Sequence, residues 1–414
     1  MYKGVVLTRS FLINDSPGGQ ILRVLFSHVN SKCCSLTYYI SDIGKHVINH
    51  SFDVVNIHEK VWVKYIAAFI RRILSDLTFL PGYEWWSWGI KTVKVMEREI
   101  AWEDIDYIHS VSYPCASHWA AFQLKKKTGK PWVAHFLDPL VENPYRPFKT
   151  KYFKEKDYAM ERDIATYADL IIHNSQSMVD SWISRYGDLV RNKIVILSMP
   201  ISLPDNYLYV NKYGISDKKK RTISHIGSLT SGRTSEVFIR AVKSFVCKYP
   251  ELSNLLEVKY VGYVCNKDKS LISKLGLQKY FNLLGQVSEE ECIECYINSD
   301  AFLAIDSSGS LFYPSKILKY FYFERPILGI ACSGSVLENE MCESKNTFCP
   351  IDKTENIELF LLKLLSAYDT ITINDRNYWR KFLPEQMASQ YESLICSLLE
   401  KSKYTDLSCE NLNI

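Results

Sequence analysis

Short apolar runs of strand length recur along the chain, separated by longer segments whose apolar positions return every three or four residues. In the first half the runs fall at 4–8, 53–58, 106–111, 132–136, 170–174 and 194–197, with helix-length segments at 20–28, 117–128 and 154–167. Strands of this kind, alternating with helices, predict a parallel sheet covered on both faces. The alternation lapses over 202–220, where Pro204, Asn206, Asn211 and Gly214 precede a charged run ending at Arg221, as in a linker. It restarts with strands at 222–227, 257–262, 281–284, 301–306 and 327–330, and helices at 235–248, 267–275, 288–298 and 315–323. A last helical period runs through Trp379, Phe382, Met387, Tyr391, Leu394 and Leu398. The fold class this predicts is α/β, with two Rossmann-like doubly wound domains facing a cleft. The expected boundaries are 1–204, 205–378, and 379–414 for a terminal helix packing back on the first domain, with a frayed tail. Ligands of such sheets bind beyond the carboxyl ends of the strands.

Composition narrows the choice. The 414 residues carry 50 basic and 46 acidic side chains, a net charge of +4, which is too small to point to nucleic acid. The 12 cysteines, with no secretory signal at the start, predict a reduced, cytoplasmic protein. Cys292 and Cys295 have metal-ligand spacing, but no second pair matches them, so no metal site is expected. No apolar run of about 18 residues is present, so no membrane-spanning helix is expected.

Four loops could carry chemistry. Asp15 to Gln20 includes Gly18 and Gly19, which would let a ligand approach the backbone before a helix start. It lacks a nucleotide fingerprint. His225 to Arg233 ends a strand at Gly227, continues through Ser228, and closes on an arginine that is expected to open a helix. A phosphate there would meet amides, hydroxyls and a guanidinium fork. Tyr313 to Tyr320 puts Pro314, Ser315 and Lys316 at a helix start, where a diphosphate would be favoured. In Trp132 to Tyr145 a buried strand delivers His135 and Asp138 at its carboxyl end, placed for substrate contact. Each loop also has a plain reading as a turn, a cap or a solvated side chain, or, for His135, as a satisfied core residue.

Together these segments resemble a GT-B glycosyltransferase, in particular retaining glycosyltransferase family 4 of the bacterial surface-polysaccharide type. The family's phosphate-binding turn is similar to Gly227–Ser228 through Arg233. Its Pro-Ser-Lys segment resembles Pro314, Ser315 and Lys316 through Tyr320, followed by Pro326, Ile327 and Leu328. The stretches 138–145 and 168–175 resemble segments lining the first domain's side of the cleft. Two departures stand out. Lys319 replaces a glutamate that in the family accepts hydrogen bonds from the ribose, which a lysine cannot do. Phe238 and Ile239 stand where the family often has a lysine.

The resemblance implies a hexosyltransferase-type enzyme (EC 2.4) using a nucleotide-diphosphate sugar. Arg233 and Lys316 would stabilise the departing diphosphate without a metal or other cofactor, and His135 would contact the sugar or acceptor. Gly18, Gly19, Gly227, Ser228, Ser315 and Asp138 would bind substrate. The implied acceptor is a glycan or polyprenyl-linked hydroxyl, transfer retains the anomeric configuration, and the product feeds surface polysaccharide. Lys319 keeps open a non-catalytic GT-B binding or scaffold protein, and fold alone keeps open a sugar-nucleotide epimerase.

Residues 60–74 read as a basic amphipathic helix, and Trp85, Trp86 and Trp88 follow. The segment 60–88 could equally pack on the sheet or touch an anionic membrane peripherally, at the inner face of the cell membrane.

Overall fold

The computed structural model describes residues 1–9, 11–12, 17–41, 51–58, 86–112, 115–141, 143, 151–203, 220–306, 311–368, 371 and 377–410, with backbone alone for 17, 86, 152–153 and 403–410. The chain divides into two compact units, Met1–Ser202 with Phe382–Ile414, and Leu203–Lys381.

The first unit holds β1 (Tyr2–Leu7), β2 (Cys34–Ile40), β3 (Asp53–Asn56), β4 (Tyr107–Ser112), β5 (Trp132–Phe136), β6 (Leu170–His173) and β7 (Ile194–Ile196). They pair in the order β3-β2-β1-β4-β5-β6-β7, parallel throughout. β4, β5 and β6 are buried at every position, as central strands of a covered parallel sheet must be. β2 escapes the pattern reading because Ser35 is exposed and Leu36 and Thr37 are only partly covered.

The helix Pro384–Glu410 belongs to this unit. Its Tyr391 hydroxyl lies 3.0 Å from that of Tyr107 and 2.9 Å from His109 Nδ1, and its ring packs on Phe26 of the helix Pro17–Ser27. Gly4 makes this possible: a Cβ there would overlap the Tyr107 ring.

The second unit holds β8 (Arg221–Ile226), β9 (Leu256–Val261), β10 (Phe281–Gly285), β11 (Ala301–Ile305), β12 (Ile327–Ala331) and β13 (Thr347–Pro350), ordered β10-β9-β8-β11-β12-β13. The helix Glu236–Lys248 buries Phe238, Ile239, Val242 and Phe245, a helical stripe, in one core with Ile223, Val258 and Tyr260 of the strands. Phe238 and Ile239, which depart from the lysine that the resemblance often implies there, serve the core. Both sheets have the doubly wound order, with reversals between β1 and β4 and between β8 and β11. β13 and the helices Val336–Glu343 and Glu355–Ser366 lie beyond the last strand the sequence pattern predicts.

Glu324 ends the helix Lys316–Phe323 in the left-handed region, at φ 52°. For a residue with a Cβ this costs about 1–2 kcal/mol. The carboxylate accepts a hydrogen bond from Trp379 Nε1 at 2.8 Å, and this contact helps to hold the strained residue.

Candidate functional site

The second unit assembles its site where the strand order reverses. β8 runs into Gly227, whose φ of 152° disfavours residues with a Cβ. A Cβ on Gly227 would also overlap the amine of Lys316, because the lysine chain lies across this glycine. Gly262, at the end of β9, repeats the device: a Cβ there would meet the Gly227 carbonyl oxygen at 2.8 Å. The backbones of two strand ends therefore touch beneath the lysine.

The helix carrying Lys316 is pinned to β8 by Tyr320, whose hydroxyl accepts the Ile226 N–H at 2.9 Å and whose ring stacks on Phe302 of β11. Sequence reading names Tyr320 only as the end of the Pro-Ser-Lys segment and gives it no role, because an aromatic residue in a helix looks like ordinary core. Ser315 makes no side-chain cap bond, so its hydroxyl is unspent.

The electrostatics of this end are positive. Arg233 Nε is buried with no hydrogen-bond partner. Among the described residues, no carboxylate pairs with Arg233 or Lys316. Loss of hydration, then the Arg233 charge, brings the Lys316 amine down to about 8. The residue as a whole is exposed, so this value reflects the amine's seat beside Gly227 rather than the stem. Lys319, one turn on, is lowered by burial, with Cys292 and Glu289 opposing the shift. His225 Nδ1 donates to the Leu303 carbonyl at 2.9 Å, which leaves Nε2 a buried acceptor without a partner. Burial holds this imidazole neutral, with a pKa of about 3.

Two expectations about the loop need correction. Three of its amides are not open to a phosphate. Gly227 N–H donates to Val261 O at 2.7 Å, Leu229 N–H to Tyr263 O at 2.7 Å, and Arg233 N–H to Thr230 O at 3.0 Å. Nor does Arg233 open the helix, which starts at Glu236. The Ser235 N–H and hydroxyl before it both donate to the buried Asp268 carboxylate, at 2.8 and 2.7 Å. Ser228 stays exposed in the turn. The amides of Gly227, Leu229 and Arg233 are therefore spent within the fold, and the side-chain cations Arg233 and Lys316 stand beside them.

Beside this turn lies a cavity of about 350 Å³ lined by Gly262, Tyr263, Val264, Lys269, Leu283 and Gln286, among others. Its walls come from the ends of β9 and β10 and from the helix Asn266–Lys274.

The first unit places His135 and Asp138 at the end of β5. His135 is buried and its ring stacks on His109, 5.5 Å between centroids and 18° between planes. Burial keeps it neutral, with a pKa of about 4, and its Nδ1 has no partner. Asp138 is half-buried and makes no hydrogen bond or ion pair among the described residues. Burial pushes its carboxyl up to about 6. Asn174 Nδ2 donates to Leu137 O at 2.6 Å, and Val141 N–H donates to Glu161 at 3.1 Å, fixing the segment on both sides of Asp138. Glu161 is itself held by Arg185 at 3.2 Å and the Tyr186 hydroxyl at 2.8 Å.

Gly18 and Gly19 lie inside the first turn of Pro17–Ser27, not in a loop ahead of a helix starting at Gln20. A Cβ on Gly18 would stand 3.3 Å from Leu137, so part of its closeness serves packing on the β5 loop. The loop before it, 13–16, lies outside the described residues, as do 59–85 of the proposed membrane segment. Of the two readings open for the segment 60–88, packing and membrane contact, Trp88 takes the first: it is fully buried in the helix Trp86–Glu99 and is not available to a membrane surface. No described helix is long and apolar enough to cross a membrane. Among the described residues no cluster of His, Cys, Asp or Glu could hold a metal ion.

Residues 67–203 match the family model for Glycosyltransferase Family 4. No curated protein sequence matches the chain. Solved structures share its fold across nearly the whole length. Sucrose-phosphate synthase from Thermosynechococcus elongatus aligns at 13% identity and TM-score 0.61, covering 99% of this chain and 100% of that one. Anabaena HepE in complex with UDP and glucose aligns at 12% identity and TM-score 0.59, covering 99% and 100%. The lipopolysaccharide outer core galactosyltransferase WaaB, in its apo form, aligns at 14% identity and TM-score 0.61, covering 96% and 99%. The fold is that of the GT-B glycosyltransferases, and with the family match it supports glycosyltransferase activity of that type.

Proposed function

We propose that this GT-B chain, with its Family 4 match over residues 67–203, transfers a hexosyl group from a nucleoside-diphosphate sugar to a hydroxyl of a glycan or polyprenyl-linked acceptor. One observation carries the reading. A buried guanidinium nitrogen and a lysine amine converge at the β8/β11 reversal without a carboxylate partner. Such a site is incomplete without an anion. The diphosphate gains charge as the glycosidic bond breaks, so Arg233 and Lys316 favour the transition state over the ground state. Ser315 offers its hydroxyl to the same group. The nucleobase takes the neighbouring cavity, against Tyr263 and Leu283.

Residues from the first unit serve the sugar or acceptor. Neutral His135 has an unpartnered Nδ1, and Asp138 can accept a hydrogen bond. Retention, a role in surface polysaccharide, and a cytoplasmic place at the inner face of the membrane complete the proposal. HepE, solved in complex with UDP and glucose, and WaaB, a lipopolysaccharide outer core galactosyltransferase, support the donor and acceptor classes. The cations make a divalent metal unnecessary for charge neutralisation, so transfer is expected to continue unchanged after chelation with EDTA.

Calorimetric titration of the full chain with UDP and GDP tests the core of this reading. One of them should bind, and Arg233→Ala and Lys316→Ala should each weaken binding at least ten-fold while the unfolding transition stays in place. Failure of both nucleotides to bind would favour the scaffold reading that Lys319 motivates. Product formation from a nucleotide sugar alone, with no acceptor, would favour the epimerase.

A further inference from the structure

We propose that Cys33 and Cys396 form a reversible disulfide that fastens the carboxy-terminal helix to the start of β2. Their sulfurs are 3.8 Å apart, although 363 positions separate the residues. Both side chains are partly exposed, so a small oxidant can reach them.

The approach is held by bonds on either side of it. The turn before β2 is closed by Cys33 N–H and Cys34 N–H donating to Asn30 O at 2.8 and 3.0 Å. Asn30 N–H then donates to Glu392 of the helix at 2.6 Å, one turn before Cys396. Tyr391, next in the chain, bonds Tyr107 and His109. The helix therefore has a fixed register against the turn, and the two sulfurs face each other because of it.

Cys34 is the rival partner, with its sulfur also 3.8 Å from Cys33. It is almost fully buried. Adjacent Cα atoms stand about 3.8 Å apart across a trans peptide, short of the roughly 4.4–6.8 Å that a relaxed disulfide spans. Geometry therefore selects Cys396.

Oxidised glutathione can make the bond. One protein thiolate attacks its disulfide and releases one glutathione thiolate. The second protein thiolate then displaces the other glutathione from the mixed disulfide. Two protein thiols lose two electrons and two protons, and two glutathione thiols are formed. Burial first, then Cys33 and the carboxylates of Glu400 and Glu392, raise the Cys396 thiol. Thiolate is therefore scarce at neutral pH and exchange is slow.

The test uses the full chain, folded, incubated with oxidised glutathione and mapped by non-reducing peptide mass spectrometry. The expected result is a cross-linked peptide pair containing Cys33 and Cys396, two hydrogens lighter than the reduced pair. Because the bridge closes nearly the whole chain into a loop, the Tm of the first unit should rise by roughly 5 °C or more. That rise should vanish in Cys33→Ser and Cys396→Ser and persist in Cys34→Ser. A Cys33–Cys34 link, glutathione adducts without a bridge, or a rise that survives Cys396→Ser would each overturn the proposal. If a serine variant folds poorly, differential alkylation of the unmutated chain gives an independent readout: both thiols must lose reactivity together on oxidation.

Discussion

The two units share one strand order and differ in how they handle charge. At the β8/β11 reversal the second unit gathers Arg233, Lys316 and Lys319. Around β4, β5 and β6 the first unit buries His109, His118, His135 and His173, all held neutral chiefly by burial. A doubly wound sheet thus supplies a location but not an electrostatic character. The side chains at the strand ends supply that, and here one end suits an anion while the other suits recognition by hydrogen bonds.

The largest test of this contrast removes the cations. Arg233→Ala and Lys316→Ala should each lower transfer by ten-fold or more, and by ~10²-fold if each acts as a preorganised donor to the leaving diphosphate. This matches a loss of roughly 1.4 kcal/mol or more of transition-state stabilisation. His135→Ala should cost less, because a neutral ring contributes one hydrogen bond and no charge. Initial rates at saturating acceptor would decide, and equal losses in all three variants would erase the distinction between the units.

Acid should separate the units next. A histidine whose folded pKa lies below its unfolded value stabilises the fold above the unfolded pKa, near 6.5, and loses that contribution as pH falls toward the folded value. For His135 and His118 the window runs from about 6.5 down to about 4 and about 3. Each costs roughly 1.4 kcal/mol per pH unit across it. Asp138, raised to about 6, acts in the opposite sense: its folded form holds a proton more tightly, so its contribution grows on acidification. One carboxyl does not offset four histidines. The first unit should therefore unfold before the second between pH 6 and 4.5, which hydrogen exchange resolved by peptide would show. Simultaneous loss of protection in both units would contradict this.

These features were legible in the sequence to different degrees. β5 is legible from Trp132 to Phe136 as the structure has it, because a strand-length run that is apolar but for His135 stands between two helical segments. The cations were found through their positions next to strand ends. Tyr320 and the cavity around Tyr263 were not, since their roles depend on which strands become neighbours, a choice that spacing along the chain does not encode. Amide availability was misjudged for the same reason: the β9 end takes the N–H groups of Gly227 and Leu229 through pairings absent from local sequence. Trp88 shows an ambiguity that the sequence leaves open. An indole has the same composition signal at an interface and in a core, and only packing tells them apart.

A smaller effect follows from the seat of Lys316. With its amine at about 8, the free protein loses that charge as pH rises past this value. The kcat/KM for the donor should fall above pH 8. Lys316→Arg should remove the fall, whatever it does to the absolute rate, because a guanidinium stays charged. A profile flat to pH 9.5 in the unmutated chain would show that the amine does not meet the donor in its charged form.

The smallest expected change lies in the first unit, and it asks whether that unit's site is neutral in operation. Asp138 has no partner among the described residues, and its carboxyl at about 6 is divided between two protonation states near neutral pH. If it accepts a hydrogen bond from the acceptor hydroxyl, the charged form is the useful one, and the acceptor KM should rise as pH drops below 6. Asp138→Asn keeps the shape and an acceptor oxygen but cannot ionise. It should raise the acceptor KM by roughly 2–5-fold at pH 7.5, on the scale of one modest hydrogen bond, and it should flatten the dependence below pH 6. Loss of kcat by a hundred-fold with KM unchanged would instead make Asp138 a participant in the chemistry, and would place an essential charge in the unit that otherwise keeps its buried histidines neutral.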